Sequence, residues 1–153
     1  LTADTEYIAY AVGIDENFFV NTKATVVRFT TKEAVQSSNT FTVDITGTTF
    51  CSVQGTVTPS NDDPYICTIQ PKAQLDNYGT DEEIMYELVA TYDNWDALQD
   101  VLYAGETVDL EKISSLAAET EYVVLCFGWD EAPTTGLTKV EFTTAAAGGE
   151  EAV

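Results

Sequence analysis

The strongest constraint on this 153-residue chain is a phrase that it uses twice. Residues 1–16 read LTADTEYIAYAVGIDE and residues 116–131 read LAAETEYVVLCFGWDE, with Leu, Ala, Thr, Glu, Tyr, Gly, Asp and Glu shared at equivalent positions. Each copy then passes through a loop into Val-x-Phe-Thr-Thr, as Val27 to Thr31 and Val140 to Thr144. An apolar, Tyr/Ile/Val-rich run, a turn-rich loop and a second β-rich run read as a hairpin. The chain is therefore expected to hold two hairpins of one plan, at residues 1–31 and 116–144. A lone two-stranded hairpin is marginal in water and leaves apolar faces exposed, so the first copy needs a cover. Three arrangements supply one: an adjoining module in a tandem array, the same domain, or a neighbouring copy joined by strand exchange.

Between the hairpins the pattern reads as a domain. Residues 32–39 are polar and linker-like. Phe41-Thr-Val-Asp-Ile and Cys51-Ser-Val-Gln-Gly-Thr-Val alternate with period two around the Gly47 turn, and Tyr65 to Gln70 follows the turn residues Pro59 to Pro64. These are three expected strands. The period then changes. Thr80-Asp-Glu-Glu83 has the form of a capping box, and Ile84, Met85, Leu88, Val89 and Tyr92 follow at helical spacing. Asn94 caps an expected second helix carrying Trp95, Leu98, Val101 and Leu102, with Gly105 as its stop. Glu106 to Ile113 returns to strand-like alternation. Residues 40–144 thus read as one mainly β domain with a helical insertion at 80–103, and residues 145–153 as a flexible tail. The closing Glu151-Ala-Val153 echoes Glu33-Ala-Val35.

Leu-x-x-x-Thr-x-Tyr before an alternating strand resembles the tyrosine corner of fibronectin type III and related immunoglobulin-like sandwiches. Leu116, Thr120 and Tyr122 carry it once, and Leu1, Thr5 and Tyr7 carry it again. The order and lengths of the segments are similar to fibronectin-type modules of Bacteroides-type surface lipoproteins. The resemblance implies an immunoglobulin-like sandwich at the cell surface, with the corner tyrosine bonding back to backbone while its ring joins the core. A core tryptophan in the second core strand is missing, and the helical pair replaces a simple strand crossing. A sandwich of this kind carries no single function.

Charge narrows the classes of partner. Twenty-six acidic residues stand against six basic ones, with no histidine, for a net charge of −20. Such a chain repels phosphate backbones and anionic headgroups, which excludes nucleic acid and membrane surfaces as partners. No run of 18 apolar residues offers a membrane span. Between Thr80 and Glu111 lie ten carboxylates, Asp81, Glu82, Glu83, Glu87, Asp93, Asp96, Asp100, Glu106, Asp109 and Glu111, and no basic residue. A solvated acidic face is the plain reading, and docking to a basic partner the functional one. Asp76 and Asp81, in Asp76-Asn-Tyr-Gly-Thr-Asp81, are the calcium candidates, although their spacing fails the EF-hand pattern.

Three cysteines, Cys51, Cys67 and Cys126, have no metal-type spacing. Alternation places each on the apolar side of a strand, either as a buried free thiol or, for Cys51 and Cys126, as a bridge across the sandwich. Without histidine the usual thiol-activating base is absent, and no phosphate loop, zinc set or nucleophile–base pair stands in the chain. The expectation is a non-catalytic extracellular structural or adhesion module without a cofactor, part of a tandem array or polymerising filament. Its contacts to neighbouring copies would run through residues 1–31, with Phe18 and Phe19 in the loop and Tyr7 and Tyr10 on the strand. The alternative is a glycan-binding module of a carbohydrate-capture lipoprotein, stacking sugars on Trp95 or Trp129.

Overall fold

A computed structural model describes the chain except for Ala3, Ala34, Asp93, residues 149–153 and the side chain of Trp95. It divides into two compact units, Leu1–Ala34 and Val35–Val153. The mainly β character expected from sequence holds, with three antiparallel sheets among the described residues.

The first unit is a hairpin of β1 (Glu6–Ala11) and β2 (Thr25–Thr30), paired from Glu6 opposite Thr30 to Ala11 opposite Thr25.

The second unit begins with β3 (Phe41–Thr48), β4 (Val53–Pro59) and β5 (Pro64–Pro71). Three helices follow: α1 (Lys72–Leu75), α2 (Asp81–Ala90) and α3 (Trp95–Gln99). Then come the short strands β6 (Leu102–Ala104) and β7 (Val108–Asp109), a 3-10 turn at Leu110–Ile113, β8 (Glu121–Gly128) and β9 (Thr138–Thr143). One sheet runs β3-β4-β7 and the other β6-β5-β8-β9.

The two sheets pack face to face. Val53 and Val57 from the first meet Tyr65, Cys67, Val124 and Cys126 from the second, with Val108 and Leu110 closing the cluster. A second core lies on the opposite face of the four-stranded sheet. There Ile66, Val123, Leu125 and Phe127 are covered by Ile84, Met85 and Leu88 of α2 and Leu98 of α3. This layering explains why Tyr122-Val-Val-Leu-Cys-Phe127 is apolar without alternation: both faces of β8 are buried. The amphipathic helix serves as the third layer. Its Thr80 hydroxyl accepts from the Glu83 amide, and the Glu83 carboxylate accepts from the Thr80 and Gly79 amides, as the sequence led us to expect.

Three expectations are corrected. The second helix ends at Gln99 rather than running to Gly105, because Leu102 to Ala104 pair with β5, placing Tyr103 opposite Tyr65. That cross-strand contact, with ring centroids 5.7 Å apart, outweighs the helical spacing of Val101 and Leu102. The alternation at 106–113 yields only a two-residue strand before the 3-10 turn, which Asp109 caps by accepting from the Glu111 amide. Cys51 sits exposed in the turn before β4, not on the apolar side of a strand, so a Cys51–Cys126 bridge has no geometric basis.

A fourth correction concerns Asn39, which the polar run at 32–39 places in the expected linker. It is instead buried, and its side-chain oxygen accepts from the amides of Ser60 and Asn61 and from the Ser60 hydroxyl, holding the β4–β5 turn.

Candidate interaction surface

The hairpin β1–β2 reproduces the β8–β9 hairpin bond for bond. The Thr2 amide donates to the Tyr7 hydroxyl at 2.7 Å, and the Ala117 amide to the Tyr122 hydroxyl at 2.9 Å. Thr5 donates its amide to the Thr31 hydroxyl at 3.0 Å, which donates on to the Thr2 carbonyl at 2.6 Å. Thr120, Thr144 and Ala117 repeat this relay at 3.0 and 2.6 Å. Tyr7 stacks on Phe29 with centroids 6.0 Å apart, and Tyr122 on Phe142 at 5.8 Å. Asp4 and Glu119 both take positive φ, at 46° and 49°. The repeated threonine thus forms the knot of each corner, and the tyrosine ring stacks on its phenylalanine in both copies but is buried only in the second.

The loops correspond too. The Gly13 amide donates to the Thr22 hydroxyl as the Gly128 amide does to that of Thr135. Bridges at Ile14–Val20 and Trp129–Pro133 occupy the same place. The first loop is longer by two residues, and Asp15 organises the extra length. Its carboxylate accepts from the amides of Asn17 and Phe19, while its carbonyl accepts from Phe18. Phe18 is held at φ 65°, a conformation uncommon for a bulky side chain. Counted back from the matching bridge residues Val20 and Pro133, its counterpart is Glu131, at 58°.

What differs is the surroundings. In the second unit β5 pairs along the free edge of β8, the three-stranded sheet covers one face and the helices cover the other. Among the described residues of the first unit none of these covers occurs, and β1 pairs with β2. Ile8, Tyr10 and Val12, which match Val123, Leu125 and Phe127, are exposed, as are Val27 and Phe29 on β2. Phe18, Phe19 and Tyr10 are 83%, 71% and 70% exposed within this structure. Of the residues singled out from sequence, Phe18, Phe19, Tyr7 and Tyr10 are all on this hairpin, and Tyr7 is the half-buried one.

The remaining candidates fall elsewhere. Asp81 bonds to Lys139, and Asp76 lies 3.7 Å from Lys72, which also meets Glu141 at 3.1 Å. Each calcium candidate faces a lysine, and no cluster of three metal-type side chains occurs among the described residues. These groups line an open cleft of about 350 Å³ beside Tyr78 and Ile84. Trp129 is only 8% exposed, packed edge-on against Phe127 and Tyr86, and offers no open platform for a sugar. The side chain of Trp95 lies outside the described residues. Tyr65 is buried between Phe41 and Tyr103, and its hydroxyl donates to the Glu106 carbonyl at 2.6 Å. Burial pushes its pKa well above the usual tyrosine value, with neighbouring thiols adding to the shift. Among the described residues no helix is long and apolar enough to cross a membrane.

Comparison with protein-family models, curated proteins and solved structures gives no match for this chain.

Proposed function

We propose that this chain is a non-catalytic structural or adhesion module of an extracellular surface protein. Its hairpin at residues 1–31 docks into a neighbouring module or copy, as β8–β9 docks into its own. One observation carries the reading: two hairpins share a hydrogen-bond scheme, yet only one has its edge and both faces covered within its own unit. An apolar hairpin with an open strand edge is a ready template for strand addition. The three-plus-four strand arrangement and the doubled tyrosine corner support a fibronectin type III-like, immunoglobulin-like sandwich. That class of fold and an acidic chain fit the bacterial cell surface. The glycan-binding alternative is weaker, since Trp129 is buried.

Light scattering on the full chain and on residues 35–153 tests the reading. The full chain is expected to associate as concentration rises, the truncated chain to stay monomeric and folded, and Phe18→Ser with Phe19→Ser to weaken association at least about tenfold. A full chain that stays monomeric, or a truncation that associates equally, would sink it.

A further inference from the structure

The two buried cysteines lie opposite each other on adjacent strands. In the register of β5 and β8, Cys67 is the direct partner of Cys126. Their sulfur atoms are 3.7 Å apart, and both side chains are fully enclosed between the sheets. The backbone bonds identify the kind of pair. Cys67 donates its amide to the Val101 carbonyl at 3.1 Å, so its polar groups face β6 and not β8. On β8, the Trp129 amide bonds to the Pro64 carbonyl, so the odd-numbered residues bond toward β5 and Cys126 bonds toward β9. Cys67 and Cys126 therefore form a non-hydrogen-bonded pair, the close kind, with α-carbons about 4.5 Å apart. That separation lies inside the range of about 4.4–6.8 Å that a disulfide spans.

We propose that Cys67 and Cys126 are a disulfide-forming pair that staples β8 to β5. The oxidant is a small-molecule disulfide. A thiolate from one cysteine attacks it and releases one thiol, leaving a mixed disulfide. The second cysteine then displaces the other half as a thiol. Two cysteine protons end on the two released thiols, and the electron pair lost by the cysteines reduces the small disulfide. The step belongs to the chain before β8 has docked. Once docked, the thiols are shut away from oxidant, and the hydrogen bond with Cys67 together with burial pushes the Cys126 thiol far above its ordinary pKa. Cys51, exposed in its turn, is the thiol that the folded chain presents to solvent.

The experiment uses the full chain with Cys51→Ser, which removes the exposed thiol. It is unfolded in urea and refolded either with excess dithiol or with a mixture of reduced and oxidised glutathione. The expected oxidised product has no alkylatable thiol, is lighter by two hydrogen atoms, and links the peptide holding Cys67 to the one holding Cys126. Its near-ultraviolet circular dichroism matches that of the reduced chain, and its urea midpoint is higher. Two alkylatable thiols after oxidative refolding would overturn the proposal. So would a link found only in a chain with non-native circular dichroism, or one that lowers the urea midpoint. Adding Cys126→Ala serves as the control, and must abolish the intramolecular link.

Discussion

Tyr7 and Tyr122 make the same bond in different surroundings, and that separates what the bond contributes from what burial contributes. The Tyr122 hydroxyl accepts from Ala117 while its ring is buried against Phe142 and the inter-sheet core. Removing the hydroxyl by Tyr122→Phe leaves the ring in place and one amide unpaired, which costs about 1 kcal/mol of unit stability. Urea unfolding of residues 35–153 measures it. Tyr65, Tyr92 and Tyr103 supply a second prediction. Burial raises the pKa of all three. Unfolded tyrosine ionises near about pH 10, so above that pH the unfolded chain sheds protons that the folded chain keeps. The stability contribution is complete below about pH 10 and falls as pH rises through the elevated folded values. A urea midpoint followed from neutral to alkaline pH is expected to decline from that point, and Tyr65→Phe to reduce the slope. Unchanged steepness in that variant would refute the assignment to Tyr65.

Elements of one geometry need not share one stability. Among the described residues of its unit, strand β1 has β2 on one edge and no strand on the other, whereas β8 lies between β5 and β9. Amides of β1 and β2 are expected to exchange with solvent at least about 100-fold faster than those of β8 and β9, despite equivalent hydrogen bonds. Exchange read by mass spectrometry on the dilute, unassociated chain checks this. In α2, Leu88→Ala removes a buried contact to the four-stranded sheet and is expected to cost about 2–4 kcal/mol. The elements most legible in the sequence were those specified locally. The alternation of β3, the capping box at Thr80 and Glu83, and the repeated hairpins each carry their signal within a few residues. The elements that sequence reading missed are set by distant partners. Strand β6 exists because Tyr103 meets Tyr65, and Asn39 is ordered by a turn more than twenty residues away. The pairing of Cys67 with Cys126 depends on a register that no local pattern shows. At the candidate surface, Phe18 and Phe19 stood out because two aromatic residues in a hairpin loop are difficult to bury there. The bond-for-bond match behind them required the fold.

At the scale of the whole molecule, the six basic residues cannot offset the charge. Arg28, Lys72, Lys112 and Lys139 each pair with a nearby carboxylate, leaving most of the 26 acidic groups uncompensated. Copies of the chain therefore repel one another. Association through the hairpin is expected to strengthen as salt rises from about 0.01 M to about 0.15 M, over which the screening length falls from about 30 Å to about 8 Å. Light scattering across that series reads the effect, and weaker association at higher salt would point to attraction between charged groups as the driving contact.

The duplicated hairpin also bears on the order of events as the chain folds. During synthesis β1–β2 is complete before β5 is made, and β8–β9 comes last. Until β8 arrives, the edge of β5 that it will occupy is open, and an earlier hairpin with the same bonding scheme is already available to it. Ala9 and Ala11 stand where the later hairpin has Val124 and Cys126, so the first hairpin would fill the core at that edge less well than the second. Competition for that edge is expected to show as a slow refolding phase in the full chain that is missing from residues 35–153. Stopped-flow refolding of the two chains, at concentrations too low for association, reads this, and equal kinetics in both would rule such competition out.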